Sequence, residues 1–346
     1  MTIDPVYSQL ILPLIVAIFL AINMGASGTA PSFSAAYGAN LIPRSLIPGL
    51  FGIMVFAGAI VAGKNVAYTL GRGILPHENM TIVLTSIILL SVALSLLLAN
   101  LLGVPQSTSQ STVFALAGTA TYFNVLQTEK LFFEIIPVWF VLPLISFFLT
   151  YLAGKYIYKP MKKRAAFEFE SLKKNPGLQA LVLISSLYVA FSIGANNVAN
   201  ASGPVASMVM NELDLVDNPA NFKLVMVLSV LVIAPAFGIG SSLLGNKVVR
   251  TTGKEIIEFG PLSATVIAMI TATLLLTVSL TRGIPASLVQ LNTGAILGIG
   301  CAKLGWKEIF SKSTVQKFWI IWIVAPLVSF ALSISMTWLA AKAGLL

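Results

Sequence analysis

The sequence predicts an all-α polytopic membrane protein. Hydrophobic residues make up 57% of the 346 residues and charged residues only 10%, whereas a soluble globular domain carries about 25% charged residues. Apolar runs of roughly 18 residues or more, the length that crosses a bilayer as a helix, recur along the whole chain, and the mean hydropathy is +0.92. The first run, from Tyr7, lacks the basic start and cleavage site of a signal peptide, so we expect it to be retained.

A basic linker divides the predicted membrane segments into two sets of five. We expect an N-terminal membrane repeat at 1–156, the linker at 157–177 and a C-terminal membrane repeat at 178–346. Seven of the 21 Lys and Arg residues fall within 155–174, and such a cluster between apolar runs indicates a cytoplasmic loop. The positive charge therefore indicates membrane topology and not nucleic-acid binding. The predicted segments are about 7–24, 45–63, 79–102, 107–123, 132–156, 178–200, 223–243, 261–281, 285–302 and 317–342.

Three sequence blocks recur in the same order in both halves, which indicates a duplicated unit. The matching pairs are "GASGTAPS" (25–32) with "GANNVANA" (194–201), "GKNVAYTLGRGI" (63–74) with "GNKVVRTTGKEI" (245–256), and "GVPQSTSQ" (103–110) with "GIPASLVQ" (283–290). Five crossings per half make the two repeats inverted, whereas four crossings, with the fourth segment dipping in and out on one side, make them parallel. Five crossings place more Lys and Arg residues on the side of the linker, which favours inversion.

Four stretches rich in Gly, Pro and polar residues predict broken or re-entrant helices that meet near the midplane. Two are the Gly-Ala segments at 25–32 and 194–204, and two are the Gly-x-Pro-x-Ser turns at 103–107 and 283–287. Proline suits the first turn of a helix, so we expect the Pro of each turn to begin one. The Ser that follows can cap this helix or bind a ligand, and free amides at a helix start bind anions.

The segment "GANNVANASGP" places three side-chain amides, those of Asn196, Asn197 and Asn200, within an apolar run. An unsatisfied amide in hydrocarbon costs several kcal/mol, so ligand contact is favoured over simple packing for these residues. The predicted segments contain no acid–base pair, nucleophile–base pair or metal cluster, and the chain has one cysteine, Cys301, and one histidine, His77. The sequence therefore predicts a transport protein without a cofactor and not an enzyme.

These motifs resemble those of the PiT family, the inorganic phosphate transporters. "GANNVANASGP" is similar to the family signature Gly-Ala-Asn-Asp-Val-Ala-Asn-Ala, and "GVPQSTSQST" and "GIPASLVQLNTGAILG" are similar to its paired Gly-x-Pro-x-Ser-Thr-Thr-His motifs. The resemblance covers both halves and the linker. It implies inverted repeats, broken helices around a tetrahedral oxyanion, an ion-coupled secondary transport cycle in the cell membrane, and a homodimer surrounded by lipid.

The chain departs from the family pattern at the positions that carry charge. Asn197 stands where the signature has Asp, and Ser27 and Gly28 stand where the N-terminal copy would have Asn and Asp. Phosphate keeps a proton near neutral pH and gains from a carboxylate acceptor, whereas sulfate needs only donors. The donor-only site and the resemblance of "NMGASGTA" to the sulfate-permease (CysP-type) branch therefore predict sulfate import. Phosphate transport is the alternative, and an anion channel is a further one.

The predicted site combines the polar residues of these motifs. Coupling to Na⁺ or to H⁺ stays open, because the signature carboxylates are absent and few titratable groups lie in the segments. The candidate substrate-binding residues are Ser27, Gly28, Thr29, Ser107, Thr108, Ser109, Asn196, Asn197, Asn200, Ser287, Gln290 and Asn292. The candidate ligands of a coupling ion are Asn23, Gln110, Asn196, Asn200 and Thr293.

Overall fold

The computed structural model describes residues 9–102, 106–158, 175–245, 260–311 and 313–346, and all regular secondary structure within these ranges is helical. Most of the predicted basic linker lies outside them. The helices of the N-terminal half are α1 (Ile11–Gly38), α2 (Ile47–Ala62), α3 (Lys64–Arg72), α4 (Ile82–Leu102), α5 (Thr108–Tyr122) and α6 (Ile136–Ala153). Those of the C-terminal half are α7 (Pro176–Asn197), α8 (Ala199–Glu212), α9 (Pro219–Ile233), α10 (Pro235–Gly240), α11 (Pro261–Arg282), α12 (Leu288–Leu304), α13 (Trp306–Phe310) and α14 (Ser313–Lys342).

Eight helical stretches in the described part of the chain are long and apolar enough to cross a membrane, which confirms the predicted fold class. The fourth helix of each half is shorter. Helices α5 and α12 contain 15 and 17 residues, which at 1.5 Å per residue is about 22 and 26 Å. Because the hydrocarbon core of a bilayer is about 30 Å thick, neither helix crosses it alone. Both begin inside the protein, beside the fully buried core residues of α1 and α7.

The predicted break at 25–32 is wrong, because α1 continues through this stretch as one helix with Pro31 inside it. Its polar side chains are satisfied locally. The hydroxyls of Ser27, Thr29 and Ser32 each donate to a main-chain carbonyl three or four residues earlier, at 2.7–3.1 Å. Hydroxyls that bond back to the preceding turn are compatible with a continuous helix, so the Gly-Ser-Thr composition did not require an unwound segment.

The predicted break at 194–204 is much narrower than expected. Helix α7 ends at Asn197 and α8 begins at Ala199, and the residue between them, Val198, keeps helical dihedral angles (φ −61°, ψ −32°). Pro204 lies inside α8, where it cannot donate to the carbonyl of Asn200. The interruption is therefore a local discontinuity of the helix and not an unwound loop.

The prediction that the prolines of the two turns begin helices is wrong for Pro285. Helix α12 begins three residues later, after Ser287, whose backbone is extended (φ −101°, ψ 105°). The carbonyl of Pro285 instead accepts a hydrogen bond of 2.8 Å from the indole nitrogen of Trp139. The turn starts at Gly283, whose left-handed conformation (φ 62°) favours glycine. The corresponding Pro105 lies outside the described residues.

Equivalent glycines of the two halves make equivalent close helix contacts. At each of them, a Cβ atom would lie under 3.0 Å from a main-chain carbonyl oxygen of the facing helix, closer than real Cβ atoms approach. Such small-residue contacts let membrane helices approach backbone to backbone. The pairs are Gly25 with Phe237, Gly194 with Val55, Gly240 with Ile22, and Gly58 with Phe191. Since Gly25 and Gly194 open the first pair of matched sequence blocks, this reciprocity supports the duplicated unit.

Each of the two short helices packs against a long helix of the other half. Helix α5 of the first half packs against α14 of the second, and α12 of the second half packs against α6 of the first. Equivalent hydrogen bonds hold these pairs. The Ser333 hydroxyl donates to the Ala115 carbonyl at 2.7 Å, and the Thr150 hydroxyl donates to the Ala295 carbonyl at 2.9 Å. Each half therefore completes the packing of the other.

Hydrogen bonds between loops place the start of α4 and the end of α5 at one face of the molecule. The Ile82 amide donates to the Glu212 carboxylate at 2.9 Å, next to the end of α8. The Gln127 amide donates to the Ile74 carbonyl at 3.2 Å, next to the end of α3. Because α4 leaves this face and α5 returns to it, the geometry favours five crossings per half. Inversion of the two repeats stays a prediction.

Candidate functional site

A cavity lies where the starts of the two short helices meet α1 and the junction of α7 and α8. Its empty volume is about 350 Å³, including its open mouth. The described residues that line it carry no charged side chain. They are Ser27, Gly28, Pro31, Gln106, Ser107, Thr108, Ser109, Ile193, Asn197, Ala286, Ser287, Leu288 and Val289.

Two helix N-termini point their first turns at this cavity. The Ser107 hydroxyl caps α5 by accepting from the Gln110 amide at 3.3 Å, and the Ser287 hydroxyl caps α12 by accepting from the Gln290 amide at 3.2 Å. A cap satisfies one of the free amides of a helix start, and the amides before it remain as donors. Each N-terminus also carries a partial positive charge of about +0.5 from the helix dipole. The two termini therefore create a neutral site with a positive potential.

Seven of the predicted substrate-binding residues line the cavity, namely Ser27, Gly28, Ser107, Thr108, Ser109, Asn197 and Ser287. Asn197 and the Ser107 turn, which are far apart in sequence, share this void. Neither the Thr108 hydroxyl nor the Asn197 amide has a hydrogen-bond partner among the described residues. Asn197 is also half-buried and not fully enclosed. Thr108 and Asn197 therefore offer free donors to the cavity, and the Ser107 and Ser287 hydroxyls, which accept in their caps, keep their own hydrogens to donate.

Asn196 and Asn200 point into packed protein, not into the cavity. Both are fully buried. The Ser109 hydroxyl donates to the Asn196 amide oxygen at 3.1 Å and accepts from the Asn200 amide nitrogen at 3.4 Å. The Asn196 amide nitrogen donates to the Ser279 hydroxyl at 2.8 Å and to the Ile284 carbonyl at 3.3 Å. These bonds connect the start of α5 with the turn before α12, so they position the two helix N-termini.

Gln110 and Gln290 connect the two short helices behind the cavity. The Gln290 amide nitrogen donates to the Gln110 amide oxygen at 3.3 Å, and both side chains are at most 5% exposed. They occupy equivalent positions of the matched blocks. Gln290 was predicted to bind substrate, but it is not among the described lining residues and pairs with Gln110.

The remaining predicted residues also lie outside the lining. The Thr29 and Thr293 hydroxyls donate to carbonyls of their own helices at 2.7 and 2.9 Å. Asn292 is half-buried on α12. Asn23 is buried, and its amide oxygen accepts from Asn100 at 3.4 Å. Thr29, Thr293 and Asn23 thus use their polar groups in hydrogen bonds within a helix or between helices. Asn292 has no hydrogen-bond partner among the described residues.

Sequence reasoning missed several residues of the cavity. Gln106 was inside a quoted motif but was not selected, and its amide nitrogen donates to the Ser95 hydroxyl at 2.8 Å. Leu288 and Val289 lie inside the quoted block "GIPASLVQ" but were not selected. The apolar residues Pro31, Ile193 and Ala286 gave no sequence signal, because apolar residues in an apolar chain do not stand out.

Comparisons of the sequence with known proteins place it among anion permeases. The sequence profile of the phosphate transporter family matches residues 24–333. The chain is 36% identical over 330 residues to the sulfate permease CysP of Bacillus subtilis, covering 94% of this chain and 87% of the relative. It is 28% identical to a putative phosphate permease of Pyrococcus abyssi, covering 94% and 95% of the two chains.

The solved structure of a sodium-dependent phosphate transporter has the same fold. The two align with a TM-score of 0.81 at 22% identity, and the alignment covers 97% of this chain and 99% of the other. The match of the family profile extends over both halves of the described fold and includes every residue of the cavity lining. The chain is therefore a member of the phosphate transporter family.

Proposed function

We propose that this protein is a secondary active transporter that imports sulfate across the cell membrane, with the basic linker in the cytoplasm. The observation that carries the proposal is a cavity between two helix N-termini whose described lining offers neutral donors and no carboxylate. The similarity to a sulfate permease supports the same substrate.

The protonation states of the two candidate anions favour sulfate. Sulfate at neutral pH is fully ionised and accepts hydrogen bonds through all four oxygens, so the Thr108 hydroxyl, the Asn197 amide and the free helix amides suit it. Phosphate retains at least one proton, and its hydroxyl needs an acceptor. A buried donor without an acceptor costs about 1–3 kcal/mol, so a site with few acceptors disfavours phosphate.

Phosphate transport is the second candidate function, because the family and most of the similar relatives are named for phosphate. Labelled sulfate and labelled phosphate uptake in proteoliposomes decides between the two. We expect saturable sulfate uptake that exceeds phosphate uptake at equal concentration. Preloaded sulfate should also drive counterflow, which an anion channel does not show. Preferred phosphate uptake would contradict the proposal.

The same vesicles test the coupling ion, which we propose to be Na⁺. The amide oxygen of Asn200 is fully buried and has no hydrogen-bond partner among the described residues, and Pro204 leaves the Asn200 carbonyl without its helical donor. Amide and carbonyl oxygens are ligands of hard cations. The oxygens of Asn23, Gln110 and Asn196 already accept hydrogen bonds. We expect an imposed sodium gradient to accelerate uptake more than an imposed proton gradient.

The hydroxyls at the start of α5 should contribute directly to affinity. Replacing Ser107 with Ala and Thr108 with Val together is expected to raise the KM for sulfate by about tenfold or more, because each hydrogen bond to an ion contributes about 1.5–3 kcal/mol and 1.4 kcal/mol corresponds to a factor of ten. The single change Thr108→Val, which preserves shape and leaves the Ser107 cap intact, should carry much of this effect.

A matched control lies one turn further along α5. The Thr112 hydroxyl bonds back to the Thr108 carbonyl at 3.0 Å and does not line the cavity, so Thr112→Val should leave the KM nearly unchanged. The measurement is the concentration dependence of initial uptake rates. Equal KM values for Thr108→Val and Thr112→Val would limit the role of Thr108 to helix structure.

A further inference from the structure

The two helix N-termini at the cavity differ in their side chains. At the start of α5 the cap is followed by Thr108 and Ser109, whereas at the equivalent positions of α12 it is followed by Leu288 and Val289. All four residues line the cavity. The duplicated site is thus polar at one N-terminus and apolar at the other.

Apolar residues make up a large part of the lining beside this N-terminus. Leu288 is 5% exposed, Ala286 and Ile193 are buried, and Val289 is half-buried. The one hydroxyl of this N-terminus, on Ser287, is already used to cap α12. In this cap it accepts a hydrogen bond and keeps its own hydrogen to donate. Leu288 and Val289, by contrast, offer only apolar surface to an anion.

A tetrahedral anion with four oxygens would place one oxygen against the apolar part of this lining. An oxygen placed against Leu288 and Val289 would lose water without gaining a side-chain donor, and burying such a polar atom is unfavourable. A methyl group or a sulfur atom at the same corner would instead lose contact with water and pack against apolar side chains, which is favourable. The three remaining oxygens would still reach the Thr108 hydroxyl, the Asn197 amide and the helix amides.

We propose that the cavity also accepts sulfo anions of the form X–SO₃, in which X is a methyl group or a sulfur atom and lies against Leu288 and Val289. Methanesulfonate and thiosulfate are the simplest members of this class. The proposal rests on the proposed function, since it assigns additional substrates to the same cavity.

Competition and counterflow in proteoliposomes test the proposal on the unaltered protein. Methanesulfonate and thiosulfate are each expected to inhibit labelled sulfate uptake with half-inhibition within about tenfold of that of unlabelled sulfate, a difference of one decade in affinity. Each should also drive counterflow of labelled sulfate when preloaded. Failure of both anions to inhibit at about a hundredfold excess, two decades of affinity, would overturn the proposal.

Val289→Thr tests the position of the substituent. This substitution preserves shape and replaces a methyl group with a hydroxyl, as at the polar N-terminus. We expect inhibition by methanesulfonate, relative to unlabelled sulfate, to weaken by about tenfold, the lower end of the range for losing one methylene contact in an apolar pocket. The same change at Val61, which is 73% exposed on α2, should leave the ratio unchanged. An unchanged ratio in Val289→Thr would place the substituent elsewhere and contradict the proposal.

The two proposals fail in different ways. Absence of sulfate uptake in the unaltered protein would reject sulfate transport itself. Sulfate uptake that neither methanesulfonate nor thiosulfate inhibits would reject only the X–SO₃ class. If Val289→Thr does not transport, the competition and counterflow of the unaltered protein still decide the proposal.

Discussion

Replacing Asn197 with Asp is expected to lower the kcat/KM for sulfate by about 100-fold or more. Asn197 lines the cavity with its amide free of partners among the described residues, and Asp has nearly the same shape. The new carboxylate would face a dianion at short range, where like charges repel by several kcal/mol even at an effective dielectric constant near 20. Each 1.4 kcal/mol corresponds to a factor of ten.

The same substitution should raise phosphate uptake relative to sulfate uptake. The carboxylate offers the phosphate hydroxyl a charged and therefore stronger acceptor than the neutral amide oxygen of Asn197. Lowering the pH should partly restore sulfate uptake by Asn197→Asp, because protonation of the new carboxylate removes its charge. Initial rates of labelled sulfate and phosphate uptake at several pH values measure both effects.

Two control variants separate charge from loss of the amide. Asn197→Ala removes the donor without adding charge, so we expect a smaller loss of about tenfold, the value of one charge-assisted hydrogen bond. Asn218→Asp makes the same substitution at the N-cap of α9, where Asp caps as well as Asn, and should preserve sulfate uptake. Unchanged selectivity in Asn197→Asp would contradict the donor-only site.

Replacing Gly194 with Ala is expected to lower the thermal unfolding midpoint by several degrees and to reduce transport. The added Cβ would collide with the main-chain carbonyl of Val55, which cannot move aside as a flexible side chain can. Overpacking of this kind costs about 1–3 kcal/mol. It would also push α2 away from α7, two residues before Asn196. Thermal unfolding of the purified protein in detergent measures the change.

Two further glycines make this test specific. Gly49 lies in α2 with no atom near its missing Cβ, so Gly49→Ala should maintain or raise the midpoint, since glycine inside a helix costs about 0.5–1 kcal/mol relative to alanine. Gly25 makes the equivalent contact in the other half, so Gly25→Ala should lower the midpoint by a similar amount. An unaltered midpoint for both Gly25→Ala and Gly194→Ala would disprove the backbone contacts between the helices.

Much of the architecture could be predicted from the sequence, because hydropathy and capping are local properties. The long apolar runs predicted the membrane-spanning helices. The Ser of each Gly-x-Pro-x-Ser turn was predicted to cap a helix, and Ser107 and Ser287 do so. The polar residues of the matched blocks also predicted seven residues of the cavity lining. The break at 25–32 was wrongly predicted, because glycine and hydroxyl residues are equally compatible with a closely packed helix.

The direction of each polar side chain could not be predicted from the sequence. Asn196 and Asn197 are neighbours in one motif, yet the first donates to Ser279 and the second faces the cavity. The difference depends on Ser109, which is 87 residues away in the sequence and donates a hydrogen bond to Asn196 in the protein interior. The apolar side of the cavity, including Ile193, likewise depends on which helices meet there.

The sequence by itself determined a helical membrane protein with neutral polar motifs in its apolar segments, and it predicted a duplicated unit. Composition, hydrophobic periodicity and helix capping depend on short stretches of the chain, because the interactions involved reach over only a few residues. Only the tertiary structure decided which of these motifs form one cavity and which hold it in place. Hydrogen bonds and close contacts between helices from different halves make that selection, and they join residues that the sequence separates widely.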